Sequence, residues 1–590
     1  MHEGPRCAGP SIQYISAPHN DKQGKRAVGR SGRARGALLQ GELADMSDTV
    51  DYIVVGAGSA GCVMANRLSA SGAHSVCLLE AGPKDSYPWI HIPIGYGKTM
   101  FHKVVNWGYY TDPDPNMLDR RIYWPRGRTL GGSSAINGLI YIRGQRRDYD
   151  AWAAAGNPGW SWDDCLPYFR KLENNDLGPG PTRGTDGPLN ATSIKTPHPL
   201  VQGLIAAAES LGVPRVDDFN TGDQEGVGYY QLTTRNGRRC STAVAYLRPA
   251  QGRANLRVET GAHAMAILFE GTRACGVRYR QHGQVRTLRA RREVVLCAGA
   301  LQSPQLLQLS GVGPAALLRQ FGIGIVRDLP GVGENLQDHL QIRLIYETAR
   351  PITTNDQLRT LSGRARMGLE WLLFRSGPLA VGINQGGLFC RVDPASRTPD
   401  TQFHFATLSA DMAGGKVHPF SGCTYSVCQL RPSSRGRVRL RSADPFEAPS
   451  MQPNYLSTEL DRRMTVAAVK YARRIAATPP LAGMMKREFR PGPEVRADDE
   501  ILHFCREYGA TIFHPSGTAK MGPRSDPMAV VDERLRVHGV AGLRVVDCSI
   551  MPTLVSGNTN VPVVMLAERA ADFILQELRQ AHPQALQVAA

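Results

Sequence analysis

The stretch Asp51-Tyr-Ile-Val-Val-Gly-Ala-Gly-Ser-Ala-Gly-Cys-Val-Met-Ala-Asn-Arg-Leu68, answered by Val76-Cys-Leu-Leu-Glu80, decides how this chain folds. It reads as strand, tight turn, helix, strand and acid. Tyr52 to Val55 is an apolar run with β-branched members, the length of one buried strand. Gly56, Gly58 and Gly61 follow at the G-x-G-x-x-G spacing, with Ser59 between them. The first glycine permits the turn, the second lets a pyrophosphate approach the backbone, and the third lets the helix pack on the strand. The helix N-terminus then offers free N–H groups and a partial positive charge. Glu80 ends the second strand where a carboxylate accepts from ribose hydroxyls. Three glycines alone could punctuate any surface turn; strand, helix and acid in register point to a dinucleotide site. The motif does not choose between FAD and NAD, since both use it.

Working outward, 590 residues exceed one ordinary domain. No apolar run reaches transmembrane length. The net charge of +17 favours an anionic cofactor and leaves peripheral attachment to a membrane surface open. The basic residues are scattered, without an aromatic-interleaved module, which argues against nucleic-acid binding. Twelve cysteines include no C-x-x-C pair and no metal-ligand spacing, so no metal is expected. Several of them, such as Cys62, Cys77 and Cys297, lie in apolar runs, as in a reducing, cytoplasmic compartment. Residues 1–47 are rich in Gly, Arg, Ala and Ser and read as a disordered extension; Met46 is an alternative start.

Gly131, Gly132, Ser133 and Ser134 precede the apolar stretch Ala135 to Ile142 and read as a second glycine–serine turn at a helix start. It is either an anion or carbonyl site or a plain helix cap. Trp152, Trp160 and Trp162 anchor a lobe or line a pocket, anchoring being the commoner role. A meander of short strands is expected over 256–288, with a further strand at Glu293 to Cys297 and a helix opening at Ser303-Pro304. Beyond it, strands at 342–346, 402–406 and 424–430, with a glycine-rich turn at 382–387, read as a separate mixed lobe.

Near the C-terminus, Pro515 pushes His514 away from helical geometry, and Gly509 and Gly517 leave room for a flat ring. A histidine there is either a proton acceptor or a hydrogen-bonded turn residue. Asp547 ends another short strand, and Asn558-Thr559-Asn560-Val-Pro562 opens a helix whose N-terminus carries partial positive charge.

Taken together, Gly127-Arg-Thr-Leu-Gly-Gly-Ser-Ser-Ala-Ile-Asn137, Gly299-Ala-Leu-Gln-Ser-Pro-Gln-Leu-Leu-Gln-Leu-Ser-Gly-Val-Gly313, Asn335-Leu-Gln-Asp-His339 and His514-Pro-Ser-Gly-Thr518, in that order behind the glycine motif, resemble the glucose–methanol–choline (GMC) oxidoreductases, including bacterial choline, alcohol and sorbose dehydrogenases. The resemblance implies an α/β fold, α+β overall: a Rossmann-like FAD-binding domain with a mixed-sheet substrate-binding cap. Its expected spans are 48–345 for the FAD-binding region, 346–429 for the substrate lobe and 430–575 for the C-terminal region. It implies FAD with its adenosine near Glu80 and its pyrophosphate on Gly56, Gly58, Ser59 and Gly61. Gly132, Ser133, Asn137, Gly138, Leu139 and Ile140 would touch the flavin side, and Asp547, Asn558 and Thr559 would close it. His514 matches the family's catalytic histidine and Asn558 its second catalytic position. Ile136 stands where some members attach FAD through a histidine, which implies noncovalent FAD.

The implied reaction is oxidation of an alcohol to an aldehyde or ketone, with His514 as general base and the hydride passing to flavin N5. The alcohol is primary aliphatic, polyol or choline-like. Choline is disfavoured, because Val381 to Phe389 lacks a carboxylate where choline dehydrogenases tend to carry one. The electron acceptor is left open between a quinone, a dye and O₂, and the place between the cytoplasm and the inner-membrane surface. A hydroxynitrile lyase and an O₂-using alcohol oxidase share the fold and stand as alternatives.

Overall fold

The computed structural model describes residues 48–412 and 414–581; the extension at 1–47 lies outside them. The strand Thr49–Val55 forms as expected and is buried along its second half. It pairs in parallel with Val76–Glu80 on one side and with Gln284–Leu296 on the other. Leu256–Thr260 extends the sheet beyond Val76–Glu80, and Leu543–Val545 adds in parallel to Gln284–Leu296. The glycine turn and the helix Ser59–Leu68 therefore leave the C-terminal edge of a parallel sheet, where such folds bind ligands.

The expected meander differs in two ways. Leu256–Thr260 belongs to the parallel sheet, and the strands expected at 285–288 and 293–297 are one strand, Gln284–Leu296. The first half of that strand is antiparallel to Arg273–Gln281 and its second half is parallel to Thr49–Val55. Its central Arg-Arg-Glu looks like a break, but Arg291 pairs with Asp51 and Glu293 with Arg544, so the charges sit within the ladder.

A second sheet runs in the order Met485–Arg490, Leu340–Thr348, Gly422–Gln429, Thr401–Ala406, Asn384–Cys390 and Gly226–Tyr229, all antiparallel. It takes strands from either side of residues 346–429. Gly386 and Gly387, expected in a turn, lie inside the strand Asn384–Cys390. A Cβ on Gly387 would stand 2.4 Å from the Tyr230 ring, so glycine serves packing there.

Register gives this sheet two unlike faces. Ile342, Val427, Phe403 and Leu388 stand in one cross-strand row, and Leu344, Tyr425 and Phe405 in the next; both belong to an apolar core. The alternate positions put Arg343, Ser426 and His404 in a row on the opposite face, with Gln341, Cys428 and Gln402 beside it. Because side chains alternate along a strand, one sequence builds both a core and a polar wall.

Trp152, Trp160 and Trp162 are fully buried in the main core, so they anchor. The 423 and 428 cysteines are buried strand residues, and no cluster of metal-ligating side chains occurs among the described residues. No helix among them is long and apolar enough to cross a membrane.

Candidate active site and cofactor cleft

One cleft runs from the glycine turn to the polar face of the second sheet. It is lined by Gly56, Gly58, Ser59, Glu80, Gly132, Ser133, Asn137, Gly138, Leu139, Ile140, His514, Asp547, Asn558 and Thr559. The structure thus gathers on one cavity every expected site residue except Gly61, which lies behind the wall.

The three glycines separate by role. Gly56 has φ +98°, and a Cβ there would stand 2.6 Å from the Cys297 carbonyl oxygen. A Cβ on Gly61 would stand 1.8 Å from the Gly56 carbonyl oxygen, so this residue permits the helix to cross the strand. Gly58 meets nothing closer than 3.9 Å and faces the cleft. The helix begins there with no side-chain cap and no acid in its first turn, so its N–H groups remain available to an anion. Glu80 accepts from the backbone N–H of Ala57 (2.9 Å) and of Gly82 (2.8 Å), which ties the turn to the strand end. Burial raises its pKa to about 7, and each oxygen keeps a lone pair for a ribose hydroxyl. This cradle of bare backbone, free N–H groups and a buried acid fits a dinucleotide.

The second glycine–serine motif is not a helix start. Gly132–Ala135 is a short 3₁₀ turn, and Ala135 to Ile142 continues as irregular chain with Leu139 at φ +71°. Its glycines serve close approach: a Cβ on Gly132 would stand 2.6 Å from the Gly58 Cα. Asn137 Oδ1 accepts from Leu139 N–H (3.1 Å) and Arg239 Nη1 (2.6 Å), which holds this segment along the cleft. Nor does the helix expected from Ser303 begin there. It runs Gly299–Leu309, with Pro304 inside. Pro304 cannot donate to the Ala300 carbonyl, which instead accepts from Thr518 Oγ1 at 2.6 Å. The Asp547 carboxylate accepts from Gly299 N–H (2.8 Å), Ser303 Oγ (2.6 Å) and Ser549 N–H (2.8 Å), so it binds this helix to the chain leading to Asn558.

The segments Asn335–His339 and His514–Thr518 form one structure. Gln337 and Ser516 exchange backbone hydrogen bonds of 3.0 and 2.9 Å, and Asn335 Nδ2 donates to the Gly517 carbonyl at 3.1 Å. Asp338 accepts from the His514 N–H (2.8 Å), from Thr511 Oγ1 (2.5 Å) and from the Tyr455 hydroxyl. Phe513 is left-handed at φ +73°; Arg126 holds its carbonyl (2.7 Å) and Thr511 Oγ1 its N–H (2.7 Å). Backbone strain of this kind persists only where the surroundings over-determine it.

The imidazole tautomers follow from their partners. His339 Nε2 lies 2.8 Å from the Leu430 carbonyl oxygen, which can only accept, so Nε2 carries the hydrogen. Burial lowers the His339 pKa to about 4, so the ring is neutral and its Nδ1 is bare. That Nδ1 lies 3.0 Å from His514 Nδ1, which must therefore donate. Burial, with His339, His404 and Arg126 adding to it, holds the His514 pKa well below the ordinary value. His514 is then neutral with a bare Nε2, facing Asn558 Nδ2 at 3.3 Å. The Asn558 amide is oriented by Gln402, whose Nε2 donates to Asn558 Oδ1 at 3.2 Å. The Asn558 amide N–H and the His514 lone pair face each other here and both residues line the cleft, the donor and acceptor needed by a hydroxyl that gives a proton and accepts a hydrogen bond.

His339, Gln402 and His404 were not singled out from sequence as site residues. His339 lies within a motif read only as a family match, and Gln402 and His404 show only as polar residues at alternate positions of an apolar strand.

The GMC oxidoreductase N-terminal profile matches residues 50–341 and the C-terminal profile residues 432–567. An alcohol dehydrogenase [acceptor] of Pseudomonas putida is 45% identical over 536 residues, covering 90% of this chain and 96% of that protein. The mitochondrial choline dehydrogenase of Mus musculus is 46% identical over 534 residues, covering 89% of each. Among solved structures, pyridoxine 4-oxidase from Mesorbium loti superposes with a TM-score of 0.81 at 32% identity, over 89% of this chain and 99% of that one. A formate oxidase of Aspergillus oryzae, studied for its FAD modification, gives 0.84 at 25% identity over 90% and 99%. With the dinucleotide cradle and the hydroxyl-matched pair in one cleft, the chain belongs to the GMC oxidoreductase family and is an FAD-dependent enzyme that oxidises CH–OH donors.

Proposed function

We propose that His514 Nε2 takes the hydroxyl proton of an alcohol while Asn558 Nδ2 donates to its oxygen, and that an aldehyde or ketone leaves. The carrying observation is the neutral His514 with its lone pair 3.3 Å from the Asn558 amide. Gly56, Gly58, Ser59 and Glu80 hold the adenosine and pyrophosphate of FAD; Gly132, Ser133, Asn137 to Ile140, Asn558 and Thr559 hold the flavin. Bound FAD supplies the acceptor for the carbinol hydride. Binding is noncovalent, because the cleft-lining residue at the attachment position is Ile136, which has no nucleophile. Flavin released into the supernatant on acid precipitation supports this; flavin retained in the pellet overturns it. His514→Ala with a full flavin content and undiminished anaerobic flavin reduction by alcohols would sink the assignment of the base.

The acceptor is a membrane quinone, reached from the bilayer surface. The helix Leu361–Phe374 buries only Met367. It exposes Leu361 (79%), Leu369 (56%), Leu372 (61%), Leu373 (60%) and Phe374 (73%), with Arg364 and Arg366 exposed on the same helix. A mixed apolar and basic helix of this kind suits the interface of an anionic bilayer. Co-sedimentation with vesicles containing anionic lipid, lost in a Leu369→Glu/Leu373→Glu double variant, supports the reading. Absence of binding in the unaltered protein removes it.

A further inference from the structure

The cleft-facing row of the second sheet holds a cation whose side chain has no hydrogen-bonded or ion-paired partner among the described residues. Two arginines line the cleft, Arg126 and Arg343. Arg126 is engaged with the Pro125 and Phe513 carbonyls. The Arg343 side chain makes no hydrogen bond or ion pair among the described residues, and its Nε is buried without a partner. Asp411, an acid close enough to act on it, is shared between Arg490 (3.1 Å) and His418 (3.2 Å). Tyr96 stands near it as a neutral phenol, since burial raises its pKa. Burial lowers the Arg343 pKa, but a guanidinium remains protonated at any working pH.

Its neighbours suit an elongated polar ligand. Arg343, Ser426 and His404 form one cross-strand row. Both ring nitrogens of His404 are buried without a hydrogen-bond partner, although the ring stands beside Asn558. Gln341 spends its Nε2 on the Thr511 carbonyl (2.9 Å) and leaves Oε1 unengaged. Arg343 and His404 are two strands apart, about 10 Å between Cα atoms at ordinary strand spacing. Arg343 at one end of this row and His404 at the other, with Asn558 and its partner His514 beside His404, define a site with two poles.

Arg343 is half-buried at the cleft wall with its Nε fully screened; a partly desolvated cation without a partner is stabilised by an incoming anion. The fork of a guanidinium matches a carboxylate. A quaternary ammonium would instead meet a like charge in a low-dielectric cleft.

Resting on the alcohol-oxidation reading, we propose that Arg343 determines specificity for an alcohol carrying a carboxylate, an ω-hydroxy acid whose carboxylate docks on Arg343 while its carbinol reaches His514 and Asn558. Choline is excluded by the same residue.

The test uses FAD-loaded enzyme and anaerobic flavin reduction by ω-hydroxy acids of three to ten carbons, the matching 1-alkanols and choline. At least one hydroxy acid is expected to exceed its matched alkanol in kcat/KM by roughly 10²-fold or more, with choline inert. Arg343→Met should lower that ratio to near one, with the alkanol rate and flavin content retained, and Arg343→Lys should restore part of it. Independently, a saturated fatty carboxylate should perturb the visible flavin spectrum of the unaltered enzyme and not that of Arg343→Met. Alkanols or choline outperforming the whole hydroxy-acid series, or an Arg343→Met variant that loses every substrate equally, would overturn the proposal while leaving alcohol oxidation standing. A flavin that no alcohol reduces would overturn both.

Discussion

The two ends of the cleft are built by opposite means. At the dinucleotide end the working parts are backbone: bare glycines at Gly56 and Gly58, free N–H groups of one helix and a carboxylate only 23 residues from the turn it braces. At the substrate end they are side chains from distant segments. His514 meets His339 across 175 residues and Asn558 across 44, while Gln402 reaches Asn558 across 156. A backbone site depends on what is absent from a few neighbouring positions. A side-chain site depends on the register of several strands at once, so its parts fail separately and show different signatures.

The largest expected effect lies at the side-chain end. His514→Ala should lower the rate of flavin reduction by roughly 10²–10⁴-fold while flavin content stays full, as read by anaerobic stopped flow. His339 sharpens the point, because it touches neither the substrate nor the cofactor site and acts through the tautomer of His514. His339→Leu removes the acceptor that holds the proton on His514 Nδ1, and kcat should fall on the order of 10²-fold with KM little changed. His339→Asn keeps an oxygen acceptor and should recover part of the loss. Equal losses in both variants would mean that His339 merely packs.

At the backbone end the contrast is between two glycines three residues apart. Gly61→Ala forces a carbon 1.8 Å from the Gly56 carbonyl oxygen and should lower apoprotein stability by about 1–3 kcal/mol in thermal or denaturant melts. Gly58→Ala has 3.9 Å of clearance and an ordinary φ of −78°, so the apoprotein should melt unchanged while FAD affinity falls. Equal destabilisation by both would break the division between packing and ligand approach.

The smallest effect is on pH. The base must be unprotonated to act, and the pKa of His514 is held well below 6.5, so activity falls only as pH drops through that lowered value. The kcat/KM profile should stay flat from neutrality to below pH 6.5, the ordinary histidine pKa. A limb centred at 6.5 or above would contradict the buried, neutral imidazole.

Legibility followed the same division. The turn at Gly56, the close crossing at Gly61 and the cleft positions of Gly58 and Glu80 were legible because strand, turn, helix and acid are contiguous, and local chain geometry dictates each of them. The Gly132–Ala135 turn was misread as a helix start because glycine and serine precede both helices and close crossings; the approach to Gly58 appears in no local pattern. Pro304 was misread as a helix start because the missing N–H is compensated by Thr518, over two hundred residues away. His514 and Asn558 could be named only through a family resemblance, since a histidine before a proline carries no signature of its own.

Local sequence determined the parallel dinucleotide-binding sheet and its turn, because an apolar strand and three glycines at fixed spacing leave the backbone few alternatives. Tertiary structure alone decided which nitrogen of His514 is bare, since that depends on the Leu430 carbonyl acting through His339. It also decided that Arg343, in a strand that alternates polar and apolar residues, faces the cleft without an ion-pair partner among the described residues. Strand alternation allowed either face, and only pairing with Gly422–Gln429 and burial of Ile342 and Leu344 in the core turned it inward.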